Sequence, residues 1–244
     1  MKDNFSGHAA DYAKYRPTYP EGLYRYLFSL VAEKNNAWDC GTGNGQVAVH
    51  LATTFNHVLA TDLSEEQLAE APKMDNIVYR KQTAEERFSP EGKYDLITVA
   101  QAVHWFDFDR FYDNVRQVLH PKGRLAVFGY GLMQVHGPID TVVQYFYKEV
   151  TDAYWDPERK YLDDGYTTIP FPFKEEIVPT LHIKVSWTRE QFLQYLNTWS
   201  AVKHFIEQEG SNPLDLIIDD VEKSWGSEEM LEFRFPLLLR VGRL

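Results

Sequence analysis

Short apolar runs alternate with amphipathic segments along the first half of the chain. The apolar runs are typical of buried parallel strands, whereas the segments between them repeat their apolar residues at helical spacing. We predict five strands, at residues 37–40, 57–61, 77–80, 94–100 and 124–129. Strands that alternate with helices predict a doubly wound α/β sheet with helices on both faces. Such sheets bind ligands at the carboxyl ends of their strands.

The intervening helices are marked by their apolar faces and by their first residues. Leu23 to Val31 places apolar side chains on one face of a first helix, and residues 47–52 continue as a second. Ser64 to Gln67 forms a capping box, which predicts that a helix begins directly after the second strand. Residues 108–119 form an amphipathic helix that the turn at residues 120–123 ends.

This alternation stops between about residues 131 and 180. Residues 138–150 have a helical pattern, and residues 154–173 are rich in aromatic residues and prolines. We predict a helical and aromatic cap, inserted over the carboxyl edge of the sheet. The cap and the sheet are expected to belong to a single domain that spans residues 1–244.

Regular elements return in the tail. Leu181–Trp187 alternates like a strand, and residues 229–241 predict a last strand in which Pro236 indicates a bulge or an edge position. Three helices are predicted between these two strands. One is capped by Thr188–Gln191, and the other two span residues 201–209 and 213–225. With the earlier strands, the tail completes a mostly parallel, seven-stranded sheet.

Composition narrows the classes of function. The chain has 244 residues and a net charge of −11, which argues against a binder of nucleic-acid phosphates. No apolar run reaches the roughly 18 residues of a membrane span, and the N-terminus carries no apolar signal-peptide core. Cys40 is the only cysteine and is expected to be a buried strand residue. We therefore expect a cytoplasmic monomer or homodimer that is not bound to a membrane.

The most informative motif is Trp-Asp-Cys-Gly-Thr-Gly-Asn-Gly at residues 38–45. Gly41, Gly43 and Gly45 alternate with other residues where the first strand gives way to a helix, and Asp39 precedes them. A glycine-rich turn of this kind lets a ligand approach the backbone amides. The motif is not the G-x-G-x-x-G dinucleotide fingerprint, because position 46 is glutamine.

The acid-x-G-x-G-x-G pattern resembles motif I of the class I S-adenosylmethionine (SAM)-dependent methyltransferases, which have a Rossmann-like fold. The chain looks like a type 11 methyltransferase of the trans-aconitate methyltransferase-like branch. Three segments carry the branch likeness: Tyr12–Pro20, His104–Asp107 and Asn197–Ala201. The resemblance implies SAM as cofactor and a small molecule as methyl acceptor.

The resemblance also implies roles for residues that follow the strands. Asp62, 17 residues beyond Gly45, would accept hydrogen bonds from the ribose hydroxyls, although it could be an ordinary capping aspartate. Asp39 would lie near the cofactor ammonium or structure the loop, and Thr83–Glu85 would flank adenine or cap a helix. Arg16 or a nearby tyrosine would pair with the cofactor carboxylate or remain on the surface. The predicted cofactor residues are Tyr15, Arg16, Asp39, Gly41, Gly43, Gly45, Asp62, Leu63, Ala84, Glu85 and Gln101.

The acceptor site is less well determined. His104 is the candidate general base, because an imidazole in the loop after strand four suits that task, but it could merely shape the pocket. Trp105, His136 and Trp155 are the predicted substrate contacts, with His136 a weaker candidate base. The cap aromatics Tyr154, Trp155, Tyr161 and Tyr166 could instead only pack against one another. No group of residues has metal-ligand spacing.

These observations favour methyl transfer to a carboxylate or hydroxyl oxygen of a small molecule. A nicotinamide-dependent oxidoreductase is disfavoured by Gln46, and a nucleic-acid methyltransferase by Gln101–His104, which lacks the Asn/Asp-Pro-Pro-aromatic motif of exocyclic-amine enzymes. A non-catalytic SAM-binding protein would share the glycine turn and Asp62. These alternatives make different predictions about ligand binding and turnover.

Overall fold

The computed structural model describes residues 15–87 and 92–244. Tyr12, Ala13 and Lys14, which carry part of the N-terminal likeness, lie outside the described residues. The strands are β1 (Asn36–Cys40), β2 (His57–Asp62), β3 (Ile77–Lys81), β4 (Tyr94–Ala100), β5 (Leu119–Tyr130), β6 (Gln134–Val135), β7 (Lys174–Glu175), β8 (His182–Trp187) and β9 (Leu231–Arg243).

The helices connect the strands and cover the sheet. They are α1 (Glu21–Ser29), α2 (Gln46–Ala52), α3 (Glu65–Ala69), α4 (Phe108–Val118), α5 (Ile139–Tyr145), α6 (Lys160–Asp163), α7 (Arg189–Asn197), α8 (Ser200–Glu209) and α9 (Ile218–Trp225). A π-helical turn, Phe146–Val150, extends α5. The capping box predicted at Thr188 is present, with reciprocal hydrogen bonds to Gln191 at the start of α7.

The sheet follows the order β3-β2-β1-β4-β5-β9, and its first five strands are parallel. β9 runs antiparallel to β5 and also pairs with β6, β7 and β8. The predicted doubly wound α/β fold is confirmed. The described residues contain nine strands rather than the predicted seven, because the two-residue strands β6 and β7 add to the seven longer ones.

The predicted edge position of Pro236 is wrong, because β9 has neighbours on both sides. Its first half pairs with β8 and β6, and its second half pairs with β5 and β7. Pro236 lies where the neighbour changes from β6 to β5, and its carbonyl accepts a hydrogen bond from the Gly131 N–H at 3.1 Å. A missing amide donor is tolerated at this break in the ladder.

Several predicted boundaries also differ from the structure, and two of the differences have a clear cause. β5 begins at Leu119 rather than Arg124, because Leu119 pairs with Tyr94 before a register shift brings Arg124 opposite Leu96. The helix predicted over residues 213–225 is a 3₁₀ turn, Pro213–Leu216, followed by α9. Ile217 separates them with a φ of −123°, outside the helical region.

Hydrophobic clusters cover both faces of the sheet. Alternate residues of β1 face opposite sides, with Ala37 in one cluster and Trp38 in the other. The first cluster contains apolar residues of α1, α2, α5, α7, α8 and α9, and the second contains those of α4 together with Tyr166 and Ile169. This packing fixes the parallel strands, so their carboxyl ends meet at one edge.

Candidate active site

The turn between β1 and α2 has a backbone that only glycine adopts readily. Gly41, Gly43 and Gly45 have φ values of 70°, 56° and 81°, in the left-handed region. A Cβ on Gly41 would lie 2.6 Å from the Ala102 Cβ. The amides of Gly41 and Thr42 both donate to the Thr61 carbonyl at 2.9 Å, which ties the turn to the end of β2.

The Asp62 carboxylate is held by backbone amides on both of its oxygens. The Gly43 N–H donates to Oδ2 at 2.7 Å, and the Ser64 N–H donates to Oδ1 at 2.9 Å. Asp62 also lines the cleft beside the glycine turn. A carboxylate is a hydrogen-bond acceptor, so Asp62 offers acceptor oxygens to a ligand in the cleft.

Asp39 lies beneath the turn and structures it. Its side chain is 1% exposed and accepts hydrogen bonds from the Thr42 hydroxyl at 2.5 Å and from the Thr98 hydroxyl at 2.7 Å. Burial raises the pKa of Asp39 to about 6, although both hydroxyl hydrogen bonds lower it. Its contacts match the loop-structuring alternative, and Asp39 does not line the cleft.

The cleft extends from the glycine turn across the ends of β2, β4 and β5. The predicted cofactor residues that line it are Arg16, Gly41, Gly43, Asp62, Leu63 and Gln101. Tyr15, Asp39, Gly45, Ala84 and Glu85 are not part of this lining. Thr42, Gln67 and Tyr130 also line it, and only the fold brings these three together.

Residues 83–86 form a turn, and no helix begins there. Ala84 is 2% exposed, and its carbonyl accepts a hydrogen bond from the Asn114 amide at 2.8 Å. Glu85 Oε1 accepts a hydrogen bond from the N–H of Asp107, the residue that caps α4. Glu85 lines a neighbouring groove, which shares Trp105 with the cleft.

A second cavity lies between the ends of the strands and the segment that contains α6. Arg16, Gln101 and Trp105 line both this cavity and the first cleft. His104 adds to its wall, as do Trp155 and Arg159 from the segment before α6. The remaining residues of its wall are Asp156, Leu162, Trp199 and Ser200. Two ligands that occupied the two cavities would therefore meet at the shared residues.

His104 is buried in the wall of the second cavity. Its side chain is 5% exposed, and Nδ1 lies 3.1 Å from the Tyr166 hydroxyl. Burial and the nearby charge of Arg159 lower the pKa of His104 to about 3. The imidazole is therefore neutral at physiological pH and is a weak base.

Two residues with a strained backbone approach Gly129. Gln101 and Tyr166, with φ values of 54° and 62°, are the non-glycine residues with positive φ in residues 15–87 and 92–244. A Cβ on Gly129 would lie 2.5 Å from Gln101 Oε1 and 2.8 Å from the Tyr166 hydroxyl. Gly129 thus leaves the space that both side chains occupy, and strain of this kind often marks a functional site.

The other predicted acceptor residues are dispersed. His136 is exposed near Glu232 and lines neither cavity. The Tyr154 hydroxyl donates to Glu209, and Tyr161 packs edge-on against Phe108. Of the predicted contacts, Trp105 and Trp155 line the second cavity.

Sequence reasoning missed Asp156, Arg159 and Leu162. They have no motif around them, so only their contacts in the fold identify them. Trp199 and Ser200 were noted only for the branch likeness of their segment. Within the described ranges, no group of His, Cys, Asp or Glu could hold a metal ion, and no helix there is long and apolar enough to cross a membrane.

Comparisons with known proteins agree with this geometry. The profile of a methyltransferase-domain family matches residues 38–127, from β1 into β5. A candidate methyltransferase of Dictyostelium discoideum is 34% identical over 99% of this chain and 95% of its own length. The similarity therefore extends through the tail as well as the sheet.

Solved structures show the same architecture. A candidate type II methyltransferase from Anaeromyxobacter dehalogenans is 38% identical, has a TM-score of 0.86 and aligns over 93% of this chain and 97% of its own. A candidate methyltransferase from Bacillus halodurans is 19% identical, with a TM-score of 0.52 over 91% of this chain and 98% of its own. The second match supports the fold alone.

Proposed function

This chain belongs to the class I SAM-dependent methyltransferases, and from that premise we propose that it methylates a carboxylate or hydroxyl oxygen of a small molecule. The observation that carries the proposal is the wall shared by the two cavities. Arg16, Gln101 and Trp105 line both, so a cofactor in one cavity can adjoin an acceptor in the other.

The first cleft has the features that its SAM cofactor needs. The left-handed turn at Gly41 and Gly43 lets a ligand approach the backbone, and the anchored Asp62 carboxylate is an acceptor that suits ribose hydroxyls. We assign the cofactor carboxylate to Arg16, which lines the cleft beside Tyr130. Leu63, next to Asp62, forms part of the adenosine wall.

The cofactor supplies a methyl group bonded to a sulfonium sulfur. The neutral thioether that remains after transfer is an excellent leaving group. The protein then has to hold an acceptor oxygen in line with that methyl carbon, and positioning of this kind contributes about 7–11 kcal/mol to lowering a barrier. We assign residues 131–180 of the single domain to a cap that excludes water, because Trp155 and Arg159 from this stretch line the second cavity.

His104 is better suited to the cavity wall than to base catalysis. An efficient general base has a pKa near the working pH, whereas burial lowers that of His104 to about 3. A carboxylate acceptor needs no base, and a hydroxyl acceptor would have to lose its proton to another group.

The proposal has a direct test. The protein is incubated with SAM and a panel of small carboxylic acids and alcohols, and S-adenosylhomocysteine and methylated products are measured by mass spectrometry. We expect an ester or ether product. Asp62→Ala should weaken S-adenosylhomocysteine binding at least about tenfold, because a charged acceptor is lost, whereas Asp109→Ala on the exposed surface of α4 should leave it unchanged.

Two outcomes would contradict the proposal. Binding of S-adenosylhomocysteine without any product would favour the non-catalytic SAM-binding alternative. Stabilisation by NADH and not by S-adenosylhomocysteine would favour the oxidoreductase, since a bound ligand raises the melting temperature.

A further inference from the structure

We propose that Arg159 binds a carboxylate of the methyl acceptor in the second cavity, and hence that the acceptor is a carboxylic acid. This inference rests on the proposed function and specifies its substrate class. It is carried by how Arg159 is anchored and by which of its atoms remain available.

Arg159 is held in place through one edge of its guanidinium group. Nε donates to the Tyr147 hydroxyl at 2.9 Å and lies 3.5 Å from Asp163 Oδ1. The Tyr147 hydroxyl in turn donates to the same Asp163 oxygen at 2.5 Å. These contacts link the residue before α6 to the end of α6 and to the π-helical turn after α5. The position of Arg159 is thereby fixed without its two terminal amino groups.

The guanidinium group also lies over two aromatic rings. Cζ lies 4.6 Å from the centroid of the Trp155 ring and 5.2 Å from that of Tyr147. Arginine stacks on aromatic rings in this way while its in-plane N–H groups stay available for hydrogen bonds. The side chain is 17% exposed and lines the second cavity.

The terminal amino groups form the part of Arg159 that a ligand can use. Neither makes a hydrogen bond to any residue in the parts of the chain that the structure describes. Two parallel N–H groups match the two oxygens of a carboxylate, and such bidentate pairs are the strong charge-assisted hydrogen bonds of proteins. A neutral hydroxyl has a single oxygen and cannot pair with both N–H groups of the fork in this way.

The other charges of the cavity wall are compatible with an anion. Arg16 adds a second positive charge at the wall shared with the cofactor cleft, although it also donates to Tyr130 and to the Thr198 carbonyl. Asp156 is the opposing acid of this lining, and His104 is neutral there. The cavity thus presents arginines within a chain whose net charge is −11.

A carboxylate acceptor also balances the chemistry without a base. One of its oxygens uses a lone pair to form a bond to the methyl carbon, while the carbon–sulfur bond breaks and its electron pair stays on sulfur. The anion and the sulfonium become a neutral methyl ester and a neutral thioether. No proton moves, which suits a cavity whose buried imidazole is a weak base.

The test compares each acid with its uncharged amide. The probes are benzoate, phenylacetate, octanoate and succinate, each paired with its primary amide or diamide. Binding to the protein saturated with S-adenosylhomocysteine is measured by calorimetry, and turnover with SAM is measured by release of S-adenosylhomocysteine. We expect at least one acid to bind at least about tenfold more tightly than its amide.

Three variants distinguish a loss of the Arg159 fork from a general effect on the protein. Arg159→Gln should reduce the preference for the acid to within about twofold, and Arg159→Lys should retain part of it, because a lysine keeps the charge but not the fork. S-adenosylhomocysteine affinity should stay unchanged in both, which shows that the cofactor cleft is intact. Arg189→Gln, which removes an exposed partner of Glu222, is the matched control and should behave as wild type.

The inference is overturned if no acid is preferred over its amide, or if the preference survives in Arg159→Gln. Failure of the proposed function would look different. In that case an Arg159-dependent preference for the acid would be measured in the binding experiment, but no methyl ester would form in the presence of SAM.

Discussion

The hydroxyl of Tyr166 lies 3.1 Å from Nδ1 of His104, and both side chains are buried, with His104 in the wall of the second cavity. Tyr166 reaches this position from a left-handed backbone, with φ at 62°. A bulky residue in that region is strained by about 1–3 kcal/mol, so the surrounding contacts must hold Tyr166 in this conformation. Arg240 supplies some of them, because its guanidinium donates to the Tyr166 and Ile169 carbonyls at 3.1 and 2.7 Å.

Tyr166→Phe should raise the KM for the acceptor while leaving cofactor affinity unchanged. The substitution keeps the ring but leaves the buried His104 Nδ1 without its partner, which should destabilise the fold by about 1–3 kcal/mol. Steady-state kinetics and urea unfolding measure the two effects. Equal losses of acceptor and cofactor binding would indicate a general collapse of the site instead.

The pH profile of turnover should not report His104. With its pKa lowered to about 3, the imidazole stays neutral from pH 5 to 8, so His104→Gln should change the size of kcat/KM and not the shape of its pH dependence. The comparison needs kcat/KM for both proteins across that range. An inflection near pH 6.5 that disappears in the variant would restore His104 as the base.

Asp39 should make the stability of the protein depend on pH. Its pKa is raised from 3.8 to about 6 in the folded state, so the folded protein holds this proton more tightly than the unfolded chain does. The resulting stabilisation is fully present below about pH 4 and is lost as the pH rises through 6. Over that range it amounts to about 3 kcal/mol.

Comparison with Asp39→Asn isolates this contribution, because the amide does not titrate. Urea unfolding of both proteins between pH 4 and 7.5 should show the wild type losing stability relative to the variant as the pH rises. Parallel curves would mean that the Asp39 carboxyl titrates at its ordinary value.

Gly129→Ala should disturb the acceptor cavity although Gly129 lies within β5. The added methyl group would lie 2.5 Å from Gln101 Oε1 and 2.8 Å from the Tyr166 hydroxyl, so both side chains must shift. Overpacking of this kind costs about 1–3 kcal/mol. Gly22→Ala is the control, because its nearest neighbour, Leu181 Cδ2, would be 3.7 Å away.

Acceptor kinetics measure the effect at Gly129. The acceptor KM should rise in Gly129→Ala and remain at the wild-type value in Gly22→Ala. Wild-type kinetics for Gly129→Ala would show that Gln101 and Tyr166 have room to move.

Part of the first cleft could be predicted from the sequence because its signals are local. Gly41 and Gly43 occupy a turn that needs positive φ, and Asp62 follows an apolar run that ends at the same edge of a parallel sheet. Each of these features depends on neighbouring residues and on the strand that it follows, and periodicity reveals such strands.

The second cavity could be predicted only in part, because many of its contacts are distant in the chain. Arg159 lines a cavity with Gln101 and Trp199, yet nothing in the residues around it indicates which strand end it faces. Pro236 shows the same limit, since its lack of an amide donor fits an edge and also fits a break inside a sheet. Only the pairing of β9 with strands on both sides decides between them.

The pairing of β9 with β5, β6, β7 and β8 also constrains how the molecule is made. During synthesis, β1 to β5 can associate as they leave the ribosome, but β6, β7 and β8 have to wait for a partner strand at residues 231–243. Until then, one side of β5 is an unpaired edge, which is prone to intermolecular association. A nascent chain that pauses before this segment would therefore be the form most in need of a chaperone.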